Sequence, residues 1–183
     1  MPERLDEEET LDPQDWEQMR ALGHRMVDDV METLRTVRER PVWQPIPEHV
    51  KSLFSEPVPL APARPGDVYE EFKATIMPYG MGNTHPRFWG WVMGNGTPLG
   101  VLAEMLAAGM NPNMGGGDHA PVYVESEVLS WLRELMGFPA DSSGLLVSGG
   151  SMANLVGVTV ARNRLAGFDV RAEGLQSEHA RLV

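Results

Sequence analysis

Apolar residues recur at spacings close to 3.6 near the start of the chain, at Trp16, Met19, Leu22, Val27, Val30, Leu34 and Val37. The period predicts an amphipathic helix of roughly seven turns, with Asp12 as cap and Pro13 in the first turn. So long a stripe is expected to pack on something other than its immediate successor, and both a partner subunit and its own domain remain open. Residues 41–66 then carry seven of the 15 prolines, at Pro41, Pro45, Pro47, Pro57, Pro59, Pro62 and Pro65. They deny backbone donors and hold the chain extended, as a strap or linker.

Asp67 is placed to cap a short helix, VYEEFKATIM, that Pro78 ends. Between Tyr79 and Asp118 lie ten of the 19 glycines, interleaved with His85, Phe88, Trp89 and Trp91. Backbone threading past bulky rings can line a pocket or form a packed surface loop. Thr97 with Pro98 opens the helix LGVLAEMLAAGM, and Pro121 precedes VYVESEVLSWLRELM, which stops at Gly137. Gly144 to Val147 is expected to be a short strand, Ser148 to Ser151 a small-residue turn, and Met152 to Leu165 a helix. Strand, turn and helix make the first half of a βαβ unit. The closing Arg181, Leu182 and Val183 read as the start of another strand, so the chain is expected to be cut inside its own fold.

Composition narrows the function classes. The chain has 183 residues, 42% of them apolar, enough to expect a soluble globular chain with a buried core. Its 26 acidic against 15 basic residues give a formal charge of −11, which argues against nucleic-acid and anionic-membrane partners. Without cysteine there is no disulfide, thiolate metal site or thiol nucleophile. The acidic start lacks the pattern of a secretory signal, and a cytoplasmic location is expected. Lys51 and Lys73 are the only lysines.

The segment 145-LLVSGGSMANLVG-157 carries the chemistry. Gly149 and Gly150 permit positive φ, and a helix beginning at Ser151 leaves its first amides without intrahelical partners. Amides from Gly150 to Ala153, the Ser151 hydroxyl and the helix dipole together suit a phosphate dianion without any lysine or arginine. A serine starting an ordinary helix would look the same. The segment is neither a P-loop nor the G-x-G-x-x-G fingerprint. It does approximate the G-x-S-x-G nucleophile elbow, which would make Ser151 a hydrolase nucleophile; the later histidine this needs is offered only by His179.

Four blocks give these residues a context: His85-Pro86-Arg87-Phe88-Trp89-Gly90-Trp91; Pro98-Leu99-Gly100-Val101-Leu102-Ala103-Glu104; Glu125-Ser126-Glu127-Val128-Leu129-Ser130-Trp131-Leu132; and Ser148-Gly149-Gly150-Ser151-Met152-Ala153-Asn154-Leu155. In this order and spacing, over about residues 12 to 165, the chain resembles the group II pyridoxal-phosphate-dependent amino acid decarboxylases, the aromatic-L-amino-acid decarboxylase-like proteins among them.

The resemblance implies an α/β, fold type I transferase-like architecture. Residues 1–66 would be an N-terminal helix and proline strap that clasp the partner of a homodimer, and 67–183 the first part of the large cofactor-binding domain. It implies that Gly150 and Ser151 bind the phosphate of pyridoxal 5'-phosphate, and that Trp91, Gly94 and Asn95 face an amino acid substrate. The reaction would be loss of the α-carboxylate as carbon dioxide, giving an amine, with the cofactor as electron sink.

The family's anchoring lysine, ring-stacking histidine and pyridine-pairing aspartate belong downstream of a block like 148–155. Neither Lys51 nor Lys73 has the preceding histidine, so no residue here receives a catalytic role, and the 183 residues alone are expected to be inactive. Alternatives are another pyridoxal-phosphate lyase of the same fold, sulfinate-releasing or aldehyde-forming, a non-catalytic dimerisation fragment, and, remotely, the serine hydrolase.

Overall fold

A computed structural model describes residues 11–174. The chain divides between Met110 and Asn111 into two compact units, each described by itself. In the first unit, helix α1 spans Trp16–Arg35 and runs into a 3-10 turn at Val37–Glu39. Its cap is Asp15 rather than the expected Asp12: the Asp15 carboxylate accepts the amides of Glu17 and Gln18 at 2.9 and 3.0 Å, a contribution of about 1 kcal/mol. The helix is also shorter than its apolar stripe foretold, because Thr36 closes it by donating to the Glu32 carbonyl.

The proline-rich stretch is not extended throughout. Pro47 sits at the cap of a six-residue helix, α2 (Glu48–Leu53), whose Val50 is only 2% exposed. Proline is excluded from a helix interior but not from its entrance, so a strap can hold a helical turn between its prolines. Helix α3 covers Pro65–Thr75 and starts before Asp67, so that residue is no cap. Its carboxylate instead pairs with the Arg64 guanidinium at 2.7 Å across the first turn. A 3-10 turn at Met77–Tyr79 holds Pro78, and α4 spans Pro98–Met110.

α1 and α3 are joined through side chains. Asp29 accepts the Tyr69 hydroxyl at 2.8 Å and the Lys73 ammonium at 2.7 Å, and Arg25 pairs with Glu70 at 3.1 Å. The Arg25 guanidinium also lies 5.4 Å from the centre of the Tyr69 ring. The donated hydrogen bond from Lys73, then that from Tyr69, lowers the Asp29 carboxyl below its ordinary value. Burial, then the bond to Asp29, pushes the Tyr69 phenol up to about 12.

The second unit holds α5 (Ala120–Leu135), α6 (Gly150–Leu165) and the short α7 (Val170–Glu173). α5 ends as expected at Gly137, which has φ +69°. The Phe138 amide donates to Arg133 and the Gly137 amide to Glu134, both at 3.0 Å, the paired bonds of a Schellman cap. The expected strand at Gly144–Val147 does not form: among the described residues there is no strand. A strand is defined by the ladder it shares with a neighbour, and this segment finds only a side chain, the Leu146 amide meeting Glu125 Oε1 at 3.3 Å. The further strand expected at 181–183 lies outside the described residues.

The expected buried core is also small. Among the described residues only Val50, Tyr69, Val170 and His85 are buried, while Leu99, Met105, Leu106 and Met110 of the almost wholly apolar α4 stay more than half exposed. Among those same residues no helix is long and apolar enough to cross a membrane.

Candidate functional site

The candidate phosphate site is built from one turn of the second unit. Gly149 has φ +155° and ψ 174°, a backbone region open essentially to glycine alone. The chain thereby leaves the irregular 144–148 segment and enters α6 without a side-chain cap. The first bond of the helix ladder is donated by Ala153 to the Gly149 carbonyl at 3.0 Å. The amides of Gly150, Ser151 and Met152 therefore precede the ladder, three donors where the sequence pointed to four.

The ground above the turn is open. A Cβ on either Gly149 or Gly150 would meet nothing within 4 Å, and Ser151 is exposed. Three amides at the positive end of a sixteen-residue helix, with a hydroxyl beside them, can hold an oxyanion through neutral donors. The geometry fits a phosphate. It also shows what the sequence reading blurred: Gly149, not Gly150, is the residue with the special backbone conformation, and Gly150 is already helical. Two adjacent glycines look alike in sequence.

The other residues expected at a site lie in the first unit, in the loop between the Met77–Tyr79 turn and α4. Trp91 is 78% exposed and has φ +49°, rare for a residue carrying a Cβ. Gly94 and Asn95 are exposed as well, and a Cβ on Gly94 would meet nothing within 4 Å. Thr97 closes the loop as expected, its Oγ1 accepting the Gly100 amide at 3.0 Å and its carbonyl the Val101 amide at 3.1 Å.

Both lysines are paired. Lys51 meets Glu48 at 3.1 Å, and Lys73 meets Asp29 at 2.7 Å. In the second unit His119 donates from Nε2 to the Asn113 carbonyl at 3.0 Å. Tyr123 donates to Asp118 at 2.7 Å, which raises its phenol. A cavity of about 500 Å³ in that unit is lined from α5, Ser130 and Arg133 included, and by Met136, Phe138 and residues 142–144, and not by Gly150 or Ser151.

Comparison with known proteins gives the turn its setting. Residues 47–182 match the family described as the pyridoxal-dependent decarboxylase conserved domain. An aromatic-L-amino-acid decarboxylase of Bacillus atrophaeus is 31% identical over 157 residues, 84% of this chain and 33% of that protein. Tyrosine decarboxylase 2 of Narcissus pseudonarcissus is 30% identical over 169 residues, 86% of this chain and 33% of that protein. The chain thus spans about a third of the length of these curated relatives.

Among solved structures, tryptophan decarboxylase from Catharanthus roseus, in complex with L-tryptophan, superposes with a TM-score of 0.73 at 22% identity. The match covers 90% of this chain and 35% of that one, and shows a shared fold. With its family match running from the strap through α6 and beyond, this chain belongs to the pyridoxal-dependent decarboxylases.

Proposed function

We propose that the protein decarboxylates an L-amino acid with pyridoxal 5'-phosphate, releasing carbon dioxide and an amine. The observation that carries this reading is the turn at Gly149, which sets three unladdered amides in open space within the family's matched region. Gly150 and Ser151 hold the cofactor's phosphate, with the helix dipole adding to their donors. When bound, the cofactor supplies a ring that accepts the electron pair left behind as the carboxylate departs. Trp91, Gly94 and Asn95 face the substrate. Exposed rings at Trp89 and Trp91 favour a flat or apolar side chain, and the decarboxylases named above support testing aromatic amino acids first.

In the working protein the architecture is α/β, fold type I, and the 144–147 segment gains a neighbour to pair with. Residues 1–66 clasp the second subunit of a cytosolic homodimer, and 67–183 begin the large domain. The test is to supply protein made from the complete coding sequence with pyridoxal phosphate and a panel of L-amino acids, following carbon dioxide and product together. Amine with stoichiometric carbon dioxide supports the proposal. Aldehyde in place of amine points to the related lyase chemistry, and no carbon dioxide from any amino acid overturns the proposal. Labelling of Ser151 by a fluorophosphonate would support the hydrolase instead.

A further inference from the structure

We propose that His85 is a positioning residue for the loop that presents Trp91, Gly94 and Asn95; this rests on the reading of that loop as the substrate side. His85 is 3% exposed and is the buried polar side chain among the described residues. Its Nδ1 accepts the Arg87 amide at 3.0 Å. A nitrogen that accepts carries no proton, so the neutral ring keeps its hydrogen on Nε2. That Nε2 is buried and has no partner among the described residues. Leaving a buried donor unpaired is unfavourable, so the imidazole is a costly way to build a turn and needs a reason beyond local stability.

The reason lies in what the residue holds. The His85 amide donates to the Gly82 carbonyl, and the His85 carbonyl accepts the Phe88 amide, both at 2.9 Å. With Nδ1 on Arg87, three atoms of one residue fasten Gly82, Arg87 and Phe88. Gly82 is pressed on the strap: at φ +92°, a Cβ there would run into the Val42 carbonyl oxygen. On the other side, the Phe88 ring lies where a Cβ on Gly90 would meet it at 2.9 Å. The base of the loop is thus fixed from Val42 through His85 to Gly90.

Beyond that base the loop is bare. Trp89, Trp91 and Val92 are 92%, 78% and 104% exposed, so little packing holds them. Trp91 nevertheless keeps φ +49°, a conformation that persists only where neighbouring structure imposes it. The His85 turn is the rigid support nearest to it along the chain. His85 acts through the backbone it fastens and does not touch substrate.

The test uses protein made from its complete coding sequence and compares His85→Asn, His85→Gln and His85→Leu. Asn carries an acceptor where Nδ1 stands, Gln carries one further out, and Leu carries none. In cofactor-free protein, amide exchange at His85, Arg87 and Phe88, the hydrogen-bonded amides of the turn, is expected to quicken about tenfold in the Leu and Gln variants and to stay near wild type in Asn. With cofactor, KM for the amino acid should rise about tenfold in Leu and Gln with kcat little changed, and Asn should restore it.

Equal behaviour of Asn and Gln overturns the proposal, and so does unaltered exchange at these three amides in both Gln and Leu. If Leu fails to fold, the contrast between Asn and Gln still decides. If the wild-type protein decarboxylates nothing, the functional reading fails, while the exchange data still judge His85.

Discussion

Replacing Gly149 by alanine tests the proposed phosphate turn with a single methyl group. The new Cβ would meet nothing within 4 Å, so collision contributes nothing. What the methyl changes is the backbone: φ +155° with ψ 174° lies where a residue with a Cβ pays roughly 1–3 kcal/mol. If the backbone keeps its course, that cost is drawn from folding stability. If it relaxes, the amides of Gly150, Ser151 and Met152 turn away and the cost falls on the anion, an affinity loss of about 5-fold to 150-fold.

The assay titrates cofactor-free protein with pyridoxal 5'-phosphate, repeats the titration with inorganic phosphate, and records urea midpoints alongside. Gly157→Ala serves as control, since it lies inside α6 with open space about it and should be neutral or stabilising by up to about 1 kcal/mol. Unchanged stability together with unchanged affinity for both anions in Gly149→Ala would refute the reasoning.

Gly82→Ala should lose about 1–3 kcal/mol, read from the urea midpoint, because the Val42 carbonyl in its path is backbone and cannot swing aside. The Asp29 carboxyl is held below its ordinary value near 3.8, so its stabilising share is complete above that pH and fades as pH falls through the lower folded value. Asp29→Asn should flatten that limb of the acid-unfolding curve. The Tyr69 phenol, raised from 10.0 to about 12, works in the other direction: its share is complete below pH 10 and disappears as pH climbs toward 12. Tyr69→Phe should remove the latest phenol ionisation from an absorbance titration at alkaline pH. Borohydride added to this 183-residue chain with one equivalent of pyridoxal phosphate should leave no stoichiometric pyridoxyl adduct on Lys51 or Lys73 by peptide mass spectrometry, since Val50 and Phe72, not histidine, precede them; a stoichiometric adduct on either would contradict the reading.

Local chemistry was legible along the chain wherever one short segment settles the outcome. Thr97 before Pro98, and Gly137 after a helical run, each act on amides or carbonyls a few residues away, and both capped their helices as read. The same logic missed where two local candidates competed. Asp12 and Asp15 both precede α1, and Asp15 won because its carboxylate reaches the Glu17 and Gln18 amides. At the candidate site, the helix start after paired glycines was readable, while the choice of Gly149 as the glycine with positive φ depends on backbone angles that residue identity does not encode.

Three further features were decided in three dimensions. The Asp29, Tyr69 and Lys73 cluster joins residues 40 and 44 positions apart, so nothing in either segment announces it. The burial of His85 depends on a turn that brings backbone around the ring. The 144–147 segment has strand-like composition, yet a ladder needs a second edge, and identity alone cannot provide one. Side-chain size, charge and period thus marked the longer helices and the glycine turn that opens α6, whereas contacts between distant segments, made by closing long loops, determined which charged groups pair and which apolar faces stay open.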